Sequence, residues 1–355
     1  MKLIDLGYNE GFEKYRNENN LSHFEIGRVI SEHKERYSVK TVNGDYEAEI
    51  TGNLRFSASS RKDFPAVGDW VALATYDSDF AIIHAILPRY STIARQAVEK
   101  FGELQIIATN IDYAFLVQAI DRDFNPNRLE RYLTICNSSG VKAIILLTKI
   151  DLIDKLKLTE ILEIISKRFE SIPVFTVSNI SQEGFEDLVK IIEKGKTYCL
   201  LGSSGVGKSS LLNNLSGQDL MKTNYISESN NKGRHVTSHR ELFLLANGGI
   251  LIDNPGMREV GIADSSTGLE MTFDTILKLS AICKYSDCTH TSEVGCAVID
   301  AVEKGVLDSD SYANYLKMER EKAFFESSIA ERRKKEKQFG KIFKNYKKDM
   351  KKGKI

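Results

Sequence analysis

The sequence predicts a multidomain chain with a small β-barrel first, a parallel α/β domain in the centre and a mainly helical, cysteine-bearing domain last. Three observations predict it. Short strand patterns punctuated by glycine fill 22–95, strand and helix patterns alternate from about residue 110, and three of the five cysteines fall between 283 and 296. A chain of 355 residues is long enough for two or three domains, each with its own core. The expected division is an N-terminal extension over 1–21, a barrel over 22–95, the α/β domain over 96–265, the cysteine domain over 266–328 and a basic tail over 329–355.

In the barrel segment, Val39 to Val42 runs into Asn43-Gly44, a hairpin signal, and YEAEI then alternates apolar with polar residues. FPAVGDWVAL and FAIIHAIL supply further strands. An OB-fold and an SH3-like barrel both fit this pattern. Phe24, Tyr37, Tyr46, Phe56 and Trp70 lie in the segment with Arg55, Arg61 and Lys62. Aromatics among cations suit single-stranded RNA, although most barrel aromatics belong to the core.

In the centre, strand patterns YAFLV, AIILL, VFTV, YCLL and GILI alternate with helical ones such as NRLERYLTIC and EGFEDLVKIIEK. That rhythm implies a parallel sheet covered on both faces. The most informative stretch is YCLLGSSGVGKSSLLNNLSG. A strand ends at Leu201. Gly202, Ser203, Ser204, Gly205, Val206 and Gly207 then form a loop whose backbone can wrap phosphates. Lys208 meets their charge, Ser209 can place its hydroxyl on Mg²⁺, and Ser210 continues the helix whose first N–H groups face the anion. GGILIDNPG follows as an apolar strand ending in D-x-x-G. Asp253 would hold Mg²⁺ through water, and the Gly256 N–H would sense a γ-phosphate. Between the two, GRHVTSHRE offers Thr237 as the switch hydroxyl that reaches Mg²⁺.

Upstream of the phosphate loop, LLTKID has the form of a guanine reader at a strand end. Asp151 can accept from guanine N1–H and the exocyclic amine, a pair that adenine lacks, which opposes an ATPase or kinase. Lys149 can lie along the base and brace the phosphate loop. Thr148 stands where asparagine is usual. Ser178 and Asn179, in VSN, would close over the base. The order is therefore base reader, base loop, phosphate loop, switch threonine, D-x-x-G, which is a circular permutation. Permutation is tolerated because domain termini often lie close together.

Cys283, Cys288, His290 and Cys296 supply three thiolates and an imidazole, enough to saturate one tetrahedral, structural Zn²⁺. Cys136 and Cys199 sit in apolar runs and read as core residues. Formal net charge is zero, but 329–355 holds twelve Lys or Arg against three acids, so the tail carries +9 and the rest −9. A basic tail on an acidic body points to a polyanionic partner, and Phe339, Phe343 and Tyr346 interleave its lysines. No apolar run reaches the roughly 20 residues that span a bilayer. The charged N-terminus does not have the form of a signal peptide, and a cytoplasmic, monomeric protein is the simplest expectation.

With PAVGDWV, GSSGVGKSSLLN, GRHVTSHREL, DNPGMREVG and CKYSDCTHTSEVGC in this order, the chain resembles the bacterial circularly permuted GTPases of the RsgA, YjeQ or YloQ family. The resemblance spans nearly the whole sequence. It implies an OB-fold, a permuted GTPase domain and a zinc domain. It also implies late assembly of the small (30S) ribosomal subunit as the setting, contact with its rRNA, GTP and GDP as ligands, and hydrolysis stimulated by the subunit. Two residues depart from the family's pattern: Thr148 replaces Asn, and Val236 replaces a threonine, which leaves Thr237 as the switch candidate. The position after D-x-x-G is Met257, which cannot orient water, so His235 is the in-chain candidate and an RNA or protein group the alternative.

Overall fold

The computed structural model describes residues 1–33, 35–96, 104–121, 124–217, 240–254 and 266–325, together with positions 331 and 334. The chain opens with a 3-10 turn, Leu3–Leu6, and helix α1, Glu10–Glu18, whose N-cap Asn9 accepts from the Phe12 N–H. Leu6 and Phe12 are buried, and Phe12 and Tyr8 pack on the indole of Trp70 at 5.8 and 4.9 Å. The first residues thus share a core with the barrel that follows.

The barrel strands are β1 (Glu25–His33), β2 (Arg36–Lys40), β3 (Asp45–Ile50), β4 (Trp70–Thr75) and β5 (Phe80–Ile86), with helix α2 (Gly52–Ser57) between β3 and β4. Their order is β1-β2-β3-β5-β4, and β4 pairs back onto β1 from Glu25↔Leu73 to Arg28↔Trp70, which closes the barrel. The β3–β5 pairing is parallel. That Greek-key closure is the OB-fold arrangement and not the meander of an SH3-like barrel. Val29, Tyr37, Val39, Ala48, Val71, Leu73, Ala81 and Ile83 fill the interior.

Strands β6 (Thr92–Gln96) and β7 (Leu104–Thr109) form a separate antiparallel ribbon. The central domain then runs β8 (Tyr113–Ala119), α3 (Pro126–Ser139), β9 (Lys142–Thr148), α4 (Lys155–Arg168), β10 (Val174–Val177), α5 (Phe185–Lys190), β11 (Thr197–Leu201), α6 (Lys208–Ser216), β12 (Glu241–Leu244) and β13 (Ile250–Asp253). The sheet order is β10-β9-β8-β11-β13-β12, parallel except for β12. Alternate residues of β9 enter opposite cores, Ile145 and Leu147 on one face and Ile144 and Leu146 on the other. Burial on both faces explains its unbroken apolar run. Because the strands are parallel, Ala119, Thr148, Val177, Leu201 and Asp253 all end at one edge of the sheet, where open α/β sheets bind ligands. β12 also touches the barrel through the pair Ser31↔Glu241, so one sheet runs through both domains.

Arg28 ties the N-terminal parts together. Its guanidinium is buried and donates to the carbonyls of Leu6 (2.5 Å), Gly68 (3.2 Å) and Asn110 (3.0 Å). One cation thereby joins the first turn, the barrel and the entry to the α/β domain.

The C-terminal helices are α7 (Ser266–Thr272), α8 (Asp274–Ser280) and α9 (Ala297–Glu303), followed by helix over 309–325. They dock on α3. A Cβ on Gly268 would lie 2.0 Å from Ser138 Oγ and 2.3 Å from the Thr134 carbonyl, so only glycine allows the approach. Beside it Glu130, 3% exposed, accepts from Arg168 (2.7 Å), Ser311 (2.6 Å) and Asn314 (2.6 Å). Arg131 adds a two-pronged bond to Glu321 at 2.8 and 2.7 Å. A buried carboxylate is tolerated only when its oxygens are satisfied in this way.

Candidate nucleotide site and metal cluster

The phosphate loop lies between β11 and α6. Gly205 and Gly207 have φ of +83° and +94°, a left-handed backbone that side chains resist. Ser203 is buried, Ser204 and Gly205 form the turn, and Ser209 and Ser210 stand in the first turn of α6. Lys208 folds back on the loop, with Nζ donating to the carbonyls of Gly202 at 2.8 Å and Ser203 at 2.7 Å. Burial lowers its pKa to about 8, against the opposing charge of Asp253. Burial raises Asp253 to about 6, with Lys208 opposing. Both carboxylate oxygens of Asp253 and the Ser203 hydroxyl are buried without hydrogen-bond partners among the described residues. A cation, a carboxylate and a hydroxyl kept from water beside a helix start fit a phosphate and a divalent metal.

The LLTKID segment meets this loop despite its earlier place in the sequence. Thr148, fully buried at the end of β9, donates to the Val206 carbonyl at 2.6 Å. The threonine in the asparagine position therefore braces the phosphate loop. Lys149 has φ +63°, and its Nζ pairs with Asp121 at 2.7 Å, so its head group goes to the end of β8 and not to the phosphate loop. Asp151 is exposed, and one of its carboxylate oxygens accepts from the buried Ser178 hydroxyl at 2.5 Å. Ser178 accepts in turn from the N–H groups of Ile180 and Ser181. A hydroxyl with its lone pairs engaged must point its proton at Asp151, which fixes the carboxylate. Asn179 reaches the Gly207 carbonyl at 3.2 Å. Asp121 and Asn214, the second a partner of Asn179, escaped the sequence reading because no motif marks either position. His235, Thr237, Gly256 and Met257 lie outside the described residues.

Cys283, Cys288, His290 and Cys296 converge, their four ligand atoms all within 4.8 Å of one another. The Sγ atoms of Cys283 and Cys296 are 3.9 Å apart, and His290 Nδ1 lies 3.6 and 3.4 Å from them. Thiolates around a tetrahedral Zn²⁺ lie about 3.8 Å apart, from Zn–S bonds of about 2.3 Å. The Glu293 carboxylate shapes the loop by accepting from the N–H groups of Thr289 (2.8 Å), Thr291 (2.9 Å) and Ser292 (3.0 Å). Cys136 and Cys199 are fully buried among core residues, and burial raises the Cys136 thiol to about 12.

Of the barrel aromatics, Trp70 and Tyr37 are core, and Tyr46 and Phe24 are half-buried. Phe56 differs: it is 93% exposed on α2, beside a cavity of about 750 Å³ that Lys62, His84 and Arg89 also line. Arg55 pairs with Glu35 at 3.0 Å. No helix among the described residues is long and apolar enough to cross a membrane.

Comparison with known proteins agrees with this geometry. The RsgA GTPase family model matches residues 86–263. A small ribosomal subunit biogenesis GTPase RsgA from Listeria innocua is 45% identical, covering 84% of each chain. A Bacteroides thetaiotaomicron protein with the same description is 40% identical over 91% of this chain and 90% of its own. Among solved structures, YjeQ from Thermotoga maritima superposes with a TM-score of 0.61 at 24% identity, covering 83% of this chain and 96% of its own. YloQ, described as a circularly permuted GTPase, gives 0.60 at 25% identity, covering 88% and 96%.

Proposed function

The chain belongs to the RsgA family of GTPases, and from that membership we propose that it binds the small ribosomal subunit late in its assembly and hydrolyses GTP faster when docked there. The observation that carries the reading is the Thr148 hydroxyl on the Val206 carbonyl. It joins a guanine reader to a phosphate loop that follows it in the chain, and Ser178 aims Asp151 at the same place. A nucleotide seated on both is held at its base and at its phosphates by one rigid sheet edge.

In this reading Asp151 accepts from the guanine N1–H and amine, and the Ser178–Asn179 loop covers the base. On nucleotide binding, Lys208 exchanges its two loop carbonyls for phosphate oxygens. Phosphate charge then keeps the ammonium protonated against the burial that depresses it. Ser209, Thr237 and Asp253 would hold Mg²⁺, which when bound neutralises charge building on the phosphates. The Gly256 N–H reports the γ-phosphate, and His235 holds the attacking water where Met257 cannot. Cys283, Cys288, His290 and Cys296 hold one structural Zn²⁺ with no position left for water. The basic tail and the exposed face around Phe56 contact rRNA. The working units are the extension 1–21, barrel 22–95, GTPase domain 96–265, zinc domain 266–328 and tail 329–355, in a cytoplasmic monomer.

The test is phosphate release from GTP with and without purified small subunits. We expect slow basal turnover and a large rise with subunits. In His235→Ala, subunit-stimulated turnover should fall by about 10²-fold with GTP affinity nearly unchanged, because the loss is confined to the transition state. Turnover indifferent to subunits would refute the stimulated role. Stimulation that survives in His235→Ala would assign the water to a partner group.

A further inference from the structure

We propose that Asn179 and Asn214 form an amide clamp that sets the backbone of the phosphate loop, so that the side chain of Asn179 acts through Gly207 while the backbone of its loop covers the base. The inference deepens the guanine-nucleotide reading above and rests on it. Val206 and Gly207 present consecutive carbonyls. Thr148 donates to the first at 2.6 Å and Asn179 Nδ2 to the second at 3.2 Å. Peptide units are planar and trans, so a carbonyl drawn to one side turns the N–H of the same unit to the other. The two N–H groups fixed in this way belong to Gly207 and Lys208, at the start of α6, where backbone donors have no partner in the helix.

Asn179 adds a second restraint to Gly207, whose carbonyl already accepts from the Leu211 N–H at 2.9 Å as the first bond of α6. At φ +94° Gly207 has no side chain to limit its flanking peptides, and glycine moves readily between backbone wells. A Cβ there would lie 2.7 Å from Asn179 Nδ2, so the close approach of the clamp is built around the missing side chain. Asn179 is itself held. Its carbonyl accepts from Asn214 Nδ2 at 3.1 Å and from Gln182 Nε2 at 3.1 Å, and its Oδ1 faces Asn214 Nδ2 at 3.4 Å. The amide of Asn179 has one satisfactory orientation: reversing it would set its oxygen against the Gly207 carbonyl and its NH₂ against that of Asn214. Asn214 lies on α6 and Asn179 in the loop after β10, so the clamp spans from the base loop to the helix beyond the phosphates.

The test compares affinities of the full chain for GDP and for inosine diphosphate, which lacks only the exocyclic amine. Asn179→Ala should weaken both by about tenfold, the scale of one lost hydrogen bond to a fixed group, and leave their ratio unchanged. Asn179→Asp keeps the shape but replaces the donor with an anion facing the Gly207 carbonyl, and should weaken both diphosphates at least as much as alanine. Asn214→Ala should weaken both diphosphates in the same sense, and the double variant should lose no more than the worse single. If Asn179→Ala does not fold, Asn214→Ala, which leaves the base loop intact, carries the test. A changed GDP-to-inosine ratio in Asn179→Ala would show that its side chain reads the base. Additive losses, unchanged GDP affinity in the single variants or full rescue by aspartate would equally overturn the clamp. Wild-type protein that fails to bind GDP would instead overturn the guanine reading on which the clamp rests.

Discussion

At the scale of single residues, the site combines groups set by hydrogen bonds with groups set by burial. Asp151 belongs to the first kind: it is exposed, and Ser178 aims it. Asp151→Asn should shift preference from GTP towards XTP, because xanthine carries an oxygen where guanine has its amine. The discrimination at stake is on the order of 1–3 kcal/mol, and competition between the two nucleotides in a binding assay measures it. An unaltered preference would remove Asp151 from the base site. Asp253 belongs to the second kind. Burial lifts it from 3.8 to about 6, so between those values the folded chain holds a proton that the unfolded chain has released. Nucleotide-free stability should therefore fall as pH rises through that window. Lys208, lowered from 10.5 to about 8, has the opposite sign: stability should recover as pH rises between those values. Asp253→Asn should flatten the acidic window of the stability profile, while weakening Mg²⁺-dependent GTP binding. Urea melts of the nucleotide-free protein across pH would reveal this, and an unchanged profile would count against a strained carboxylate.

At the scale of elements, the cysteine cluster stands between α8 and α9 and organises short helices around a small core. Chelation or Cys288→Ser should unfold this segment before it alters nucleotide affinity, because structural zinc contributes about 10–16 kcal/mol in small peptides. Elemental analysis should give one zinc per chain, and a metal-free protein with a fully protected C-terminal segment in hydrogen exchange would contradict the assignment. These elements differ in how far local pattern reveals them. Strands β8, β9 and β11 were legible because burial on both faces makes them unbroken apolar runs. The cysteine spacing was legible because four ligand-type side chains fall within one short loop, and the fold brings their ligand atoms within 4.8 Å of one another. The barrel's identity was not, because closure depends on the distant pairing of β1 with β4 and the parallel pairing of β3 with β5. Glu130 was also hidden. An acid on an amphipathic helix reads as solvent-facing until Arg168, Ser311 and Asn314 arrive from elsewhere in the chain. The clamp at Gly207 stayed hidden for the same reason: Asn179, Gly207 and Asn214 meet only in the folded chain.

At the scale of the whole molecule, zero net charge conceals a cationic end. Deleting 329–355 removes a net +9, and it should weaken binding to the small subunit and flatten its salt dependence, since each phosphate contact adds about 0.9 or less to the slope of log K against log salt. Titrations at several salt concentrations give that slope, and equal slopes for full and truncated chains would show that the tail does not touch RNA. The join between barrel and sheet has a different consequence, one for solubility. β12 has β13 on one side and, at Ser31↔Glu241, the barrel's β1 on the other. An unpaired strand edge invites pairing with another molecule. The barrel thus works as a built-in blocker of edge-to-edge aggregation, and a GTPase domain cut away from it should self-associate through β12 at concentrations where the intact chain stays dispersed.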